Sequence, residues 1–74
     1  MKINGKKLKA AAEKAGLSTT ELGAAIAMPG FGPDAAESAL RNWMADRNHP
    51  RAKPEHMRRI AQALSVRPAE FARF

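Results

Sequence analysis

The sequence predicts an all-α fold, and three observations carry that expectation. Apolar residues recur at three- and four-residue spacing along the chain, with no strand-like alternation of any length. Ser18-Thr19-Thr20-Glu21 is an S-x-x-E capping box, in which the serine and the glutamate satisfy each other's backbone N–H groups at a helix start. Glycine and proline punctuate the periodic stretches at Gly16, at Pro29-Gly30, at Gly32-Pro33, at Pro54 and at Pro68. The expectation is five short helices, no sheet, and residues 1–74 as a single domain with one small core.

The first helix is expected from about Gly5 to Ala15, with Leu8, Ala11, Ala12 and Ala15 on one face and Gly16 as its C-terminal stop. Lys2, Lys6, Lys7 and Lys9 crowd its start, where cations oppose the helix dipole; they read as a solvated charged face. Leu17 drops into the core ahead of the Ser18 cap. The second helix spans roughly Thr19 to Ala27, with Leu22, Ala25 and Ile26 inward and the small residues Thr20, Gly23, Ala24 and Ala27 outward. Gly23 costs about 1 kcal/mol of helix stability relative to alanine. A close crossing with the next helix is a physical reason to accept that cost.

Residues 28–33, MPGFGP, break the helical pattern. A third helix restarts at Pro33 or Asp34 and runs to about Asp46. Its buried stripe is Ala36, Ala39, Leu40 and Trp43, with Trp43 as core anchor, and its opposite face carries Asp34, Ser38, Arg41 and Asn42. Residues 47–54, RNHPRAKP, read as an ordered basic loop that includes Arg47, His49, Arg51 and Lys53. The fourth helix begins at Pro54, a favourable first-turn residue, and runs to Leu64 with Met57, Ile60, Ala61 and Leu64 inward. Glu55 and Arg59 form an i, i+4 surface pair. A last short helix is expected from Pro68 to Arg73, burying Phe71.

Composition narrows the function classes. Thirteen basic against seven acidic residues give a net charge of +6, which favours a polyanionic partner. There is no cysteine, hence no disulfide framework and no thiolate metal site. His49 and His56 stand seven apart with no carboxylate or thiol pattern around them, so no metal site is expected. The basic start MKINGKKLKA lacks the apolar run of a signal peptide, and no stretch approaches the roughly 20 apolar residues of a membrane span. No Ser/His/Asp set, carboxylate pair or phosphate loop is present, and a domain this small has little room for a substrate pocket; no enzyme activity and no cofactor are expected.

In AGLSTTELGAAIA (15–27), LRNW (40–43) and MRRIAQALSVRPAEF (57–71), the chain resembles the lambda-repressor-like, Xre/Cro-type helix-turn-helix family. That resemblance covers nearly the whole chain and implies a compact five-helix helix-turn-helix domain with an extended turn between the second and third helices. The chain departs from the family pattern in four places. Pro29 to Ala35 replaces a turn of a few residues, Met44 stands where a glutamate is frequent, Ala12 replaces an arginine, and the loop after the third helix is longer.

The resemblance implies sequence-specific binding of double-stranded DNA by a small prokaryotic or phage transcriptional regulator, a repressor, in the cytoplasm at the nucleoid. Base reading would fall on Glu37, Ser38, Arg41 and Asn42. Arg41 suits guanine O6/N7, Asn42 suits adenine and Ser38 either base. Asp34 and Glu37 either accept from cytosine N4 or cap the helix. Thr19, Thr20, Arg47, His49, Arg51 and Lys53 would hold phosphates and set the register. The partner would be a (pseudo)palindromic operator bound by a weak homodimer, or by chains that pair on the DNA, with Phe74 and the last helix as the contact. The rival expectation is a protein-interaction module, an antitoxin or adaptor on the same fold.

Overall fold

The computed structural model describes residues 1–73 and is helical, with four α-helices and a closing 3₁₀ turn in place of the five expected helices: α1 (Gly5–Ala15), α2 (Thr19–Ile26), α3 (Pro33–Met44), α4 (Pro54–Leu64) and the turn Pro68–Glu70. The expected dimer contact at Phe74 lies outside the described residues.

The local signals explain the helix ends. The Asn4 side chain accepts from the Lys7 N–H at the start of α1, and Gly16 closes that helix in the left-handed conformation at φ 72°. The Ser18 capping box is complete: Ser18 Oγ accepts from the Glu21 N–H at 3.1 Å, and the Glu21 carboxylate accepts from the Ser18 N–H at 3.0 Å. Pro33 and Pro54 each occupy a first helical turn, where a missing N–H costs nothing. Met28-Pro29-Gly30-Phe31 forms a tight hairpin, with Met28 and Phe31 exchanging both backbone hydrogen bonds at 3.0 and 2.8 Å. Gly30, at φ 81°, supplies the left-handed third position of a type II turn, and Pro29 suits the position before it.

Ile3, Leu8, Leu22, Ile26, Leu40, Met57, Ile60 and Phe71 are fully buried in one core, with Trp43 and Leu64 nearly so. Several expected core positions lie elsewhere. Ala15 and Ala25 are exposed, while Ala11, Leu17 and Ala39 are only half-buried at the core margin. On these short helices a narrow stripe suffices to cover the core, so the flanking alanines stay in solvent. Gly23 and Ala27, expected outward, are buried and half-buried respectively. Ile3, not expected inside, is completely covered.

The termini explain both Ile3 and the shortened last helix. Residues 1–3 run antiparallel to the loop after α3 on one side and to the tail on the other. Ile3 N–H donates to Pro50 O at 2.9 Å and Ala52 N–H to Met1 O at 2.8 Å, while Asn4 N–H donates to Phe71 O at 2.8 Å and Arg73 N–H to Lys2 O at 2.9 Å. These are isolated bridges, Lys2 with Arg51 and Ile3 with Ala72; no strand forms among the described residues. The tail cannot both bridge and continue as a helix, so helical geometry stops after Glu70 and Phe71 turns to φ −131°.

α3 stops at Met44 rather than Asp46 because Asp46 enters the left-handed region at φ 57°, an excursion aspartate tolerates better than most residues. From there its carboxylate accepts from the Gly5 N–H at 3.0 Å and from Arg73 Nη2 through both oxygens at 2.9 Å. One side chain thus joins the start of α1, the end of α3 and the tail. Gly5 permits this, since a Cβ there would collide with the Trp43 carbonyl and the Asp46 side chain.

Two predictions follow from this packing. Trp43→Ala should cost about 3–5 kcal/mol by denaturant titration, because it empties a buried aromatic site; an unchanged midpoint would contradict the packing. The Gly5 N–H, helped by Arg73, holds the Asp46 carboxyl below its usual pKa against the opposing effect of desolvation. Its contribution to stability is therefore present above the unfolded-state value near 3.9 and fades as pH falls through the lowered folded-state value. Asp46→Asn should flatten that acid limb of the stability-versus-pH curve; a variant with the parent's limb would remove Asp46 as its cause.

Candidate nucleic-acid interface

α3 owes its placement to a close helix crossing. α2 and α3 make the most extensive interhelical contact of the fold, and Gly23 packs against Glu37 within it. A Cβ on Gly23 would come within 3.0 Å of the Glu37 backbone N and 3.2 Å of its Cα. The glycine thus lets the two backbones meet.

The α2–α3 connection is fastened by α4. Arg59 Nε donates to Ile26 O at 3.0 Å and Nη2 to Ala27 O at 2.8 Å, satisfying carbonyls that the end of α2 leaves open. Arg59 therefore caps α2, and among the described residues it forms no ion pair with Glu55. Phe31, at the end of the hairpin, stacks on His56 with centroids 4.1 Å apart and planes 13° apart, and leans on Trp43 at 6.5 Å. The long turn is thus clamped to both α3 and α4.

On α3 held in this way, Ala36, Leu40 and Trp43 face the core. Asp34, Ser38, Arg41 and Asn42 are exposed on the other side, as the helical phase predicts. Glu37 is half-buried and forms an ion pair with Arg41 one turn along the helix. The structure thus brings two of the four candidate base-reading residues together with each other. The sequence reading did not pair them, although the i, i+4 spacing of an acid and a base carries the signal.

The candidate phosphate residues fall in two places. Thr19, half-buried, and Thr20, exposed, open α2 beside the Ser18 cap. Arg47, His49, Arg51 and Lys53 are all exposed in the loop after α3. That loop is ordered by backbone bonding to residues 1–3, and the Met1 ammonium donates to Ala52 O at 2.6 Å. Asn48 and His49 both take left-handed backbone, at φ 55° and 52°, to turn the chain back toward that edge. The bridge sets exposed Lys2 opposite Arg51, so a lysine read from the sequence as part of the α1 face belongs with the loop.

Among the described residues no group of three or more histidine, cysteine, aspartate or glutamate side chains could hold a metal ion, and no helix is long and apolar enough to cross a membrane. An open depression between α1 and the end of α4, lined by Lys7, Ala10, Ala11, Lys14, Leu64 and Val66 among others, has no residue of α2, α3 or the basic loop in its lining. No protein-family model matches this chain, and neither a curated protein nor a solved structure does.

Proposed function

We propose that the chain binds double-stranded DNA sequence-specifically, as a small prokaryotic or phage transcriptional regulator of the repressor type, with α3 in the major groove. One observation carries this reading: α3 is fixed by its buried side while Ser38, Arg41 and Asn42 stand exposed together on the other. These side-chain types can hydrogen-bond base edges, and a helix is the element the major groove admits. The net charge of +6 and the ordered cationic loop suit a phosphate backbone. The resemblance to the lambda-repressor-like helix-turn-helix family leads to the same reading, including its cytoplasmic, nucleoid-associated setting.

In this reading Arg41 meets guanine and Asn42 adenine, while Ser38 serves either base. Thr19, Thr20, Arg47, His49, Arg51 and Lys53 contact backbone and set register. The body measures 28 × 24 × 19 Å, less than the roughly 34 Å of one helical turn between half-sites. One copy therefore covers one half-site, and a (pseudo)palindromic operator takes two.

A second reading, a protein-interaction module such as an antitoxin or adaptor, draws on Asp34 and Glu37. With Arg41 they leave the exposed side of α3 slightly acidic while the loop is basic. A gel shift on random DNA at physiological salt separates the two readings, since a pure adaptor gives no retention.

In salt titrations on operator and scrambled DNA, Arg41→Ala should lose discrimination at one base pair per half-site, worth about 1–3 kcal/mol. Arg51→Ala should weaken both DNAs by a similar factor and reduce the salt slope by about 1; the reverse pattern would put the loop, not α3, in the groove. Light scattering of the complex should find two chains per operator, and one chain on a site without symmetry would overturn the dimer.

A further inference from the structure

Glu37 and Arg41 differ in their settings although they form one ion pair, made by Glu37 Oε2 and Arg41 Nη2. The Arg41 side chain is 64% exposed and the Glu37 side chain 21%. Glu37 also occupies the position on α3 that Gly23 of α2 packs against. Its carboxylate therefore springs from a point where α3 packs closely on α2, and the Arg41 side chain is the more exposed partner. Arginine carries large rotamer freedom, which it loses on docking unless something has already fixed it.

We propose that Glu37 is a positioning residue for Arg41, an assignment that rests on the DNA-binding reading above. Its carboxylate takes one part of the guanidinium and aims the remaining N–H donors at a base edge. The guanidinium has five N–H donors in a planar fork, so an ion pair through Nη2 leaves enough of them for guanine O6 and N7. The same carboxylate repels phosphate. A free Arg41 could swing to the backbone of any duplex and add affinity without discrimination; held by Glu37, it is kept from that use. Glu37 then contributes to selectivity twice, by ordering the arginine beforehand and by disfavouring its non-specific contact, without touching a base itself.

The test compares the parent with Glu37→Gln on two probes: duplexes that the parent enriches from a random pool, and scrambled duplexes of equal length. Glutamine keeps the size and an acceptor oxygen but drops the charge. Binding to the enriched duplex should weaken while binding to the scrambled one tightens, so their ratio falls roughly tenfold, within the range of one bidentate base contact. The Arg41 Nε–H resonance of the free protein should report a more mobile side chain, with little change in melting temperature. In an Arg41→Ala background, Glu37→Gln should leave the ratio unchanged, because the residue being positioned is gone. A ratio that still moves in that background would make Glu37 a base-contacting residue and overturn the proposal. An equal change on both duplexes, or unchanged Arg41 mobility in the free protein, would also overturn it. If the parent enriches no duplex at all, the DNA-binding reading itself fails and the proposal with it; a parent that selects DNA while Glu37→Gln keeps the ratio sinks the proposal alone.

Discussion

The close passage of α2 over α3 at Gly23 is the constraint on which the rest of the arrangement depends. Any side chain at that position would press on the backbone of Glu37. Backbone cannot yield as the end of a flexible side chain can, so the helices would have to part. With glycine there, Leu22 and Ile26 of α2 and Ala36 and Leu40 of α3 are all fully buried in the same core. The penalty of a glycine within a helix is local, whereas the burial it permits is shared by both helices.

Around that crossing the chain is fastened by polar side chains that reach across the fold. Arg59 ends α2 by bonding its last carbonyls, and His56 lies against Phe31, so α4 holds the helix pair and its connecting hairpin. Asp46 performs the corresponding task on the other side, tying α1, α3 and the tail through one carboxylate. Arg59 and Asp46 are each only partly buried and satisfy backbone groups that helix ends leave open. A charge so placed keeps some hydration and avoids the full desolvation penalty of an interior ion.

The functional reading draws on the contrast between a rigid α3 and the loop that follows it. α3 presents a few polar side chains from a helix locked on its other side, an arrangement suited to reading with geometry. The loop presents cations from backbone pinned to the amino terminus, suited to holding a charged polymer with little regard for its sequence. Glu37 joins the packed and the exposed sides of α3, being held at the crossing and ion-paired with the helix's one cation, Arg41. In the DNA-binding reading proposed here, fold geometry and selectivity meet in that residue.

What the sequence determined by itself was local. The Ser18 capping box, Gly16, Pro33 and Pro54 mark helix ends because each acts on its own or adjacent backbone groups, and α1 and α4 match their expected bounds. The phase of α3 was legible for the same reason: Ala36, Leu40 and Trp43 on one side, and Ser38, Arg41 and Asn42 on the other, follow from helical spacing alone. The tertiary structure decided what depends on partners distant in sequence. Ile3 is buried and the last helix cut short because the two termini pair with each other. Arg59 turns from its near neighbour Glu55 to carbonyls more than thirty residues away, and Gly23 points inward because another backbone lies there. Helix periodicity registers which residues share a face. It holds no record of which distant backbone group a cation or a glycine will meet, and that meeting is what positions α3 and its exposed side chains.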